Sequence, residues 1–139
     1  MKKLKNELGT AIILITHDLG VVADVCDRIN VMYGGIIVES GDVRDIFYRA
    51  RHPYTWGLLG SVPNPKEIIR EKLKPIEGQP PDLLNPPVGC PFAARCEYAM
   101  KLCIEKQPPL LKIGEGHSAA CWLNHPDAPK VEAPIKKGE

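Results

Sequence analysis

No apolar run in the 139-residue chain approaches the length of about 18 residues that a membrane-spanning helix needs, so no segment is expected to cross a bilayer. The opening residues, MKKLKNELGT, lack the apolar core of a secretory signal, which leads us to expect a cytoplasmic protein. Charge of one sign is also lacking: 18 Lys and Arg stand against 17 Asp and Glu. With no basic stripe interleaved with aromatics, nothing argues for a nucleic-acid partner. The phosphate-cradling pattern G-x-x-x-x-G-K-[ST] is missing, and with it the backbone donors and lysine of a complete nucleotide site. Cysteine pairs at the short C-x2-4-C spacing of zinc knuckles are missing too, although the chain has five cysteines.

What is present begins with Ile12-Ile13-Leu14-Ile15, a branched apolar run that predicts a strand buried on both faces, as in parallel α/β sheets. Ligands bind beyond the carboxyl ends of such strands, so His17 directly after the run is a candidate site residue. Lys2 to Leu8 reads as a short amphipathic helix stopped by Gly9. Asp18 suits the N-cap of a helix starting near Leu19, on which Leu19, Val21, Val22, Val25 and Cys26 recur at helical spacing. Cys26 is accordingly read as a small buried hydrophobe. Arg28–Tyr33 and Ile36–Ser40 form two strands turned across Gly34-Gly35, because such a turn needs positive φ. Gly41-Asp42 ends the second strand and caps a helix over Val43–Arg49, with Asp45 in its favourable first turn.

In Arg51-His52-Pro53-Tyr54-Thr55-Trp56-Gly57-Leu58-Leu59, Pro53 fits the first helical position, and His52 fits an N-cap or the surface. Beyond residue 60 lie 13 of the 14 prolines, a density that excludes long helices and central strands and predicts a loop-built segment in need of an internal staple. Cys90, Cys96, Cys103 and Cys121, spaced C-x5-C-x6-C-x17-C, are the candidates. A reducing compartment argues against disulfides. If Glu97 to Lys106 is one helix, Cys96 and Cys103 also stand roughly 10 Å apart along it, too far to bridge. Structural zinc usually takes closer pairs, whereas a cubane cluster takes one thiolate per iron and accepts wider spacing, so zinc and cluster both stay open at this point. His117 could replace a thiolate, or be a loop histidine beside the ligands or on the surface. Arg95 could lower the thiol pKa values or lie on the surface, and Phe92 and Trp122 are expected to wall the site. The tail after Asn124 is polar and proline-spaced, with the composition of a disordered segment.

Two stretches carry a family resemblance. LITHDL (14–19), ADVCDR (23–28) and VMYGGIIVESG (31–41) resemble the switch-histidine region of ABC-transporter ATP-binding subunits. HPYT (52–55), GQPPDL (78–83), GCPFAARC (89–96), Cys103, and His117 with Cys121 resemble the cysteine extension of oligopeptide and dipeptide importer subunits. The glutamine loop, the LSGGQ-type signature and the magnesium-binding Asp-Glu pair of the family are absent, so the resemblance covers the C-terminal portion of such a subunit. It implies an α/β fold: the C-terminal part of a P-loop NTPase-type ATP-binding core over residues 1–50, then a proline-rich, loop-built cysteine extension over 51–139. His17 would bond the ATP γ-phosphate at a site shared by two subunits, one of the positioning tasks of phosphoryl transfer. ATP and Mg2+ would bind the full-length subunit only, and Cys90, Cys96, Cys103 and Cys121 would hold a 4Fe-4S cluster, with zinc as the alternative. The implied partners are a second ATP-binding subunit and transmembrane permeases, at the inner face of the cell membrane. The competing expectation is a self-contained iron-sulfur or zinc module for interaction or redox sensing.

Overall fold

The structure is a computed structural model and describes residues 7, 9–61 and 75–134. The helix expected over 2–8 lies outside the described residues except at Glu7. From Leu19 onward the elements are α1 (Leu19–Val25), β1 (Arg28–Tyr33), β2 (Ile36–Asp42), α2 (Val43–Arg49), α3 (Pro53–Gly60), a 3-10 turn (Ala93–Arg95), α4 (Lys101–Glu105), β3 (Leu111–Gly114), β4 (His117–Ala119) and a second 3-10 turn (Trp122–Asn124). The four strands form one antiparallel sheet in the order β1-β2-β4-β3.

The helices start where a side chain can take up free backbone donors. Asp18 accepts from the amides of Gly20 and Val21 at 2.8 and 3.1 Å, and Asp42 accepts from Asp45 N at 2.7 Å. His52 Nδ1 accepts from Tyr54 N at 3.1 Å, with Pro53 at the first helical position. On β1 burial alternates strictly, which sends Ile29, Val31 and Tyr33 inward and leaves Met32 exposed. Those three pack with Val22, Val38 and Ile46, and the same core continues into Cys90, Phe92 and Cys103. Tyr33, Tyr54 and Phe92 meet at its centre, with ring centroids 4.5 to 5.4 Å apart in tilted and edge-on pairs.

The hairpin, the helices over 19–25 and 43–49, and the helix opened by Pro53 lie where the sequence places them, with β2 running two residues past Ser40. Cys26 is half-buried and packs against the core. The expected buried strand at Ile12–Ile15 does not form. This stretch is irregular, and Ile13 and Ile15 are 93% and 95% exposed. A strand buried on both faces needs paired neighbours for its N–H and C=O groups, and among the described residues every ladder is antiparallel and none includes this segment. The described residues therefore show a small α/β unit, in keeping with the expected C-terminal part of an ATP-binding core, and the P-loop part of such a core is not among them. No described helix is long and apolar enough to cross a membrane.

The segment expected to be built from loops contributes β3 and β4, and β4 adds itself to β2 through Glu39–Ala119 and Ser40–Ser118 pairing. Ala120 N extends this contact by donating to Val38 O at 2.8 Å. At the other end of the hairpin, Gly34 and Gly35 both have positive φ, 57° and 82°. A Cβ on Gly34 would sit 2.7 Å from Pro91 Cβ, whereas one on Gly35 would meet nothing within 4 Å. Replacing Gly35 by Ala is thus expected to cost about 1 kcal/mol, from backbone strain alone. Gly34→Ala should cost at least about 1 kcal/mol more, because the hairpin must also move off the cysteine loop. Chemical denaturation of the two variants checks the difference, and equal losses would contradict the contact.

Candidate functional site

Each of the four distal cysteines is placed by a short backbone device. Cys90 N donates to Cys103 O at 2.7 Å, which holds the first cysteine against α4. This approach requires Gly89, since a Cβ there would collide with the carbonyl oxygens of Cys103 and Ile104. Cys90 O then accepts from Ala93 N to start the 3-10 turn, and Cys96 N closes it onto Ala93 O. Cys96 and Met100 both have extended backbone, so the helix expected over 97–106 shortens to Lys101–Glu105. Cys96 is therefore not on the helix of Cys103, and the two-turn separation that argued against bridging them does not hold. Cys103 Sγ lies 3.4 Å from Met100 N, and Cys121 stands two residues after β4, opening the last 3-10 turn.

These devices bring Cys90, Cys96, Cys103 and Cys121 to the wall of one cavity, together with His52, Phe92 and Trp122. Phe92 is 3% exposed, and Trp122 is fixed by donating from Nε1 to Lys106 O at 3.0 Å, so the expected aromatic walls are present. All four cysteines are free thiols. Burial raises the Cys90 thiol above its ordinary value, Cys96 to about 11 and Cys121 to about 12, and the neighbouring cysteines push in the same direction. An apolar pocket with several thiols facing one another resists ionisation until a positive charge occupies it, which is the condition a thiolate-bound metal supplies. Among the described residues no group of three or more His, Cys, Asp or Glu side chains stands close enough to hold a metal ion. Four cysteines lining one cavity are the donor set of either a four-cysteine cluster or a four-cysteine zinc site.

Two expected neighbours of the thiols lie elsewhere. Arg95 donates to the carbonyl oxygens of Glu77 and Ile76 at 2.7 Å each and to Tyr33 OH at 3.1 Å, so it ties the 75–78 segment to β1 instead of facing the sulfurs. His117 is neither a ligand nor on a loop. It is buried on β4, its Nε2 hydrogen-bonded at 2.8 Å to Glu39 Oε1 and its Nδ1 3.9 Å from Asp45 Oδ1. Glu39 has no exposed surface, and it also accepts from Arg51 N at 2.6 Å and His52 N at 3.2 Å. Sequence reading missed this node, since Glu39 and His117 are 78 residues apart; an acidic residue directly after the apolar run Ile36-Ile37-Val38 was the available signal.

His52 is the other residue that sequence reading undervalued. It is 1% exposed, and its Nδ1 is engaged at the start of α3, whereas its Nε2 has no hydrogen-bond partner. Burial lowers its pKa to about 4, so the ring is neutral at physiological pH. His17, by contrast, sits exposed on the bend just before α1.

Comparison with known proteins places this geometry in context. Residues 38–103 match the model of a family described as oligopeptide/dipeptide transporter, C-terminal region. The chain is 57% identical over 134 residues to the oligopeptide transport ATP-binding protein OppD of Bacillus subtilis, covering 96% of this chain and 37% of that protein. It is 48% identical over 131 residues to the dipeptide transport ATP-binding protein DppD of Lactococcus lactis, covering 94% and 37%. The oligopeptide transport ATP-binding protein AmiE of Streptococcus pneumoniae gives 48% over 136 residues, covering 96% and 38%. The chain thus spans somewhat more than a third of the length of these relatives.

Removing Glu39 leaves two amides and a histidine nitrogen buried without an acceptor, so Glu39→Ala should destabilise the protein by about 3 kcal/mol or more in urea titrations. A double-mutant cycle with His117→Ala should return a coupling of at least about 1 kcal/mol, and additivity would refute the node. For His52, the folded pKa lies below the unfolded value of 6.5, so its contribution is complete above pH 6.5 and is lost as pH falls toward 4. Stability should therefore drop on acidification through that window by an amount on the order of 2–3 kcal/mol from this group, and His52→Asn should flatten the slope.

Proposed function

We propose that the chain is the C-terminal portion of an ATP-binding subunit of the oligopeptide/dipeptide transporter family, one that energises peptide import. The observation that carries this reading is the 57% identity across 96% of the chain to an oligopeptide transport ATP-binding protein. The match runs through both the His17 segment and the cysteine segment, which favours a subunit over a self-contained metal module.

In this reading His17 contacts the γ-phosphate of ATP at a site shared with a second ATP-binding subunit. The remaining phosphate and magnesium contacts come from sequence that this chain does not contain, since it has no Walker pattern. The subunit works in the cytoplasm at the inner face of the membrane beneath transmembrane permeases. Residues 1–50 supply the end of the ATP-binding core and residues 51–139 the extension. Cys90, Cys96, Cys103 and Cys121 would hold a 4Fe-4S cluster, whose thiolate bonds would staple a proline-rich segment with few long elements. What supports a bound group is that all four cysteines line one cavity, and the resemblance of the extension to importer subunits favours the cluster over zinc.

The purified 139-residue chain is expected to show no ATP hydrolysis, and turnover would overturn this division of labour. In an intact transporter carrying this segment, His17→Ala should lower ATP hydrolysis about 100-fold or more with nucleotide binding kept, because one transition-state contact is removed. Protein purified without air or chelator should carry iron and sulfide at about four each per chain, with thiolate-to-iron absorbance. One zinc per colourless chain would move the cysteines to a structural zinc site instead.

A further inference from the structure

His52 lines the four-cysteine cavity. It is buried, and its Nε2 is one of two buried side-chain polar atoms left without a partner among the described residues. The tautomer follows from the helix cap. Tyr54 N–H can only donate, so Nδ1 is the acceptor and carries no proton; the proton of the neutral ring is then on Nε2. A buried N–H donor with no acceptor is costly, so such groups generally have a partner that is absent from the bare chain. The backbone of the same residue is pinned from below, since His52 N donates to fully buried Glu39. The helix cap and the amide contact together hold the residue, and the side chain whose Nε2 lacks a partner lines the same cavity as the four cysteines.

We propose that His52 is a positioning residue for the group held by the cysteines, donating a hydrogen bond from Nε2 to an anionic sulfur of that group, either a bound cysteine thiolate or a bridging sulfide. This rests on the cluster reading above and adds a role for one residue that is not a ligand. An N–H donor on a cluster sulfur withdraws electron density from the iron and favours the reduced state, so it raises the reduction potential. It also gives the buried donor the acceptor it lacks.

The test is made on the 139-residue chain reconstituted without air with ferrous iron and sulfide. His52→Asn is the informative variant, because Asn retains an N-cap acceptor for Tyr54 N but is too short to present a donor where Nε2 stands. Wild type and variant should take up equal iron and sulfide, since the four thiols are unchanged. The variant's midpoint potential should shift to a more negative value, and pulsed EPR of the reduced cluster in H2O and D2O should show one strong exchangeable-proton coupling in the wild type that the variant lacks. A merely structural cap would leave that coupling in place. Equal potentials and equal couplings in two loaded proteins overturn the role of His52 and leave the cluster reading standing. A wild-type chain that takes up no iron and sulfide overturns the cluster reading itself, and this inference with it.

Discussion

Much of this architecture depends on one buried carboxyl group. Glu39 sits in the middle of β2 with no exposed surface, and it gathers the Arg51 and His52 amides and the His117 ring. A carboxyl group cannot be kept there unless its oxygens are occupied, so the three contacts are required together. Through them the strand fixes the turn into α3 and the position of β4. Asp45, buried on α2 and 3.9 Å from the other His117 nitrogen, brings the preceding helix to the same point. Register follows as well: Glu39 pairs with Ala119 in the ladder, and a slip by one residue would turn His117 away from its partner.

The cysteine cavity inherits its rigidity from this node. Cys121 follows β4 by two residues, and Phe92 packs against Tyr33 of β1 and Tyr54 of α3. Arg95 closes the far side by bonding the 76–77 carbonyls and the Tyr33 hydroxyl. The thiols are thus attached to a sheet and an aromatic cluster, not to a free loop, even though α4 has five residues and β4 three. Elements so short supply little core of their own. That is the physical reason a segment of this composition benefits from a multivalent staple at its centre.

The parts of the fold legible in the sequence are those decided within a few residues. Asp18, Asp42 and His52-Pro53 declare helix starts because capping is a contact two or three residues long. Gly34-Gly35 declares the hairpin because its φ values exclude most other residues. The parts that were not legible depend on distant partners. Ile12–Ile15 has the composition of a buried strand, yet pairing decides whether a strand exists, and composition carries no partner. β3 and β4 are too short to show a period, and β4 is recruited by a strand nearly 80 residues earlier. The cysteines were legible as a set from their spacing and setting, whereas the true surroundings of Arg95 and His117 were not, since an arginine near ligands in sequence can point either way in space.

His52 shows why a cap and a site can be the same residue. Serine, threonine, asparagine or aspartate would cap α3 at least as well, and none would cross the wall of the cavity with a second polar atom. Histidine is the capping group that has a second nitrogen about 2 Å from the first, on a rigid ring. Once Nδ1 is committed to Tyr54 and the backbone amide to Glu39, the direction of the ring and the location of its proton have no remaining freedom. The start of α3 is therefore tied to the cysteine cavity, since the residue that caps the helix also lines the cavity. The cap and the cavity are coupled through a single imidazole, which links α3 directly to the cavity that the four cysteines line.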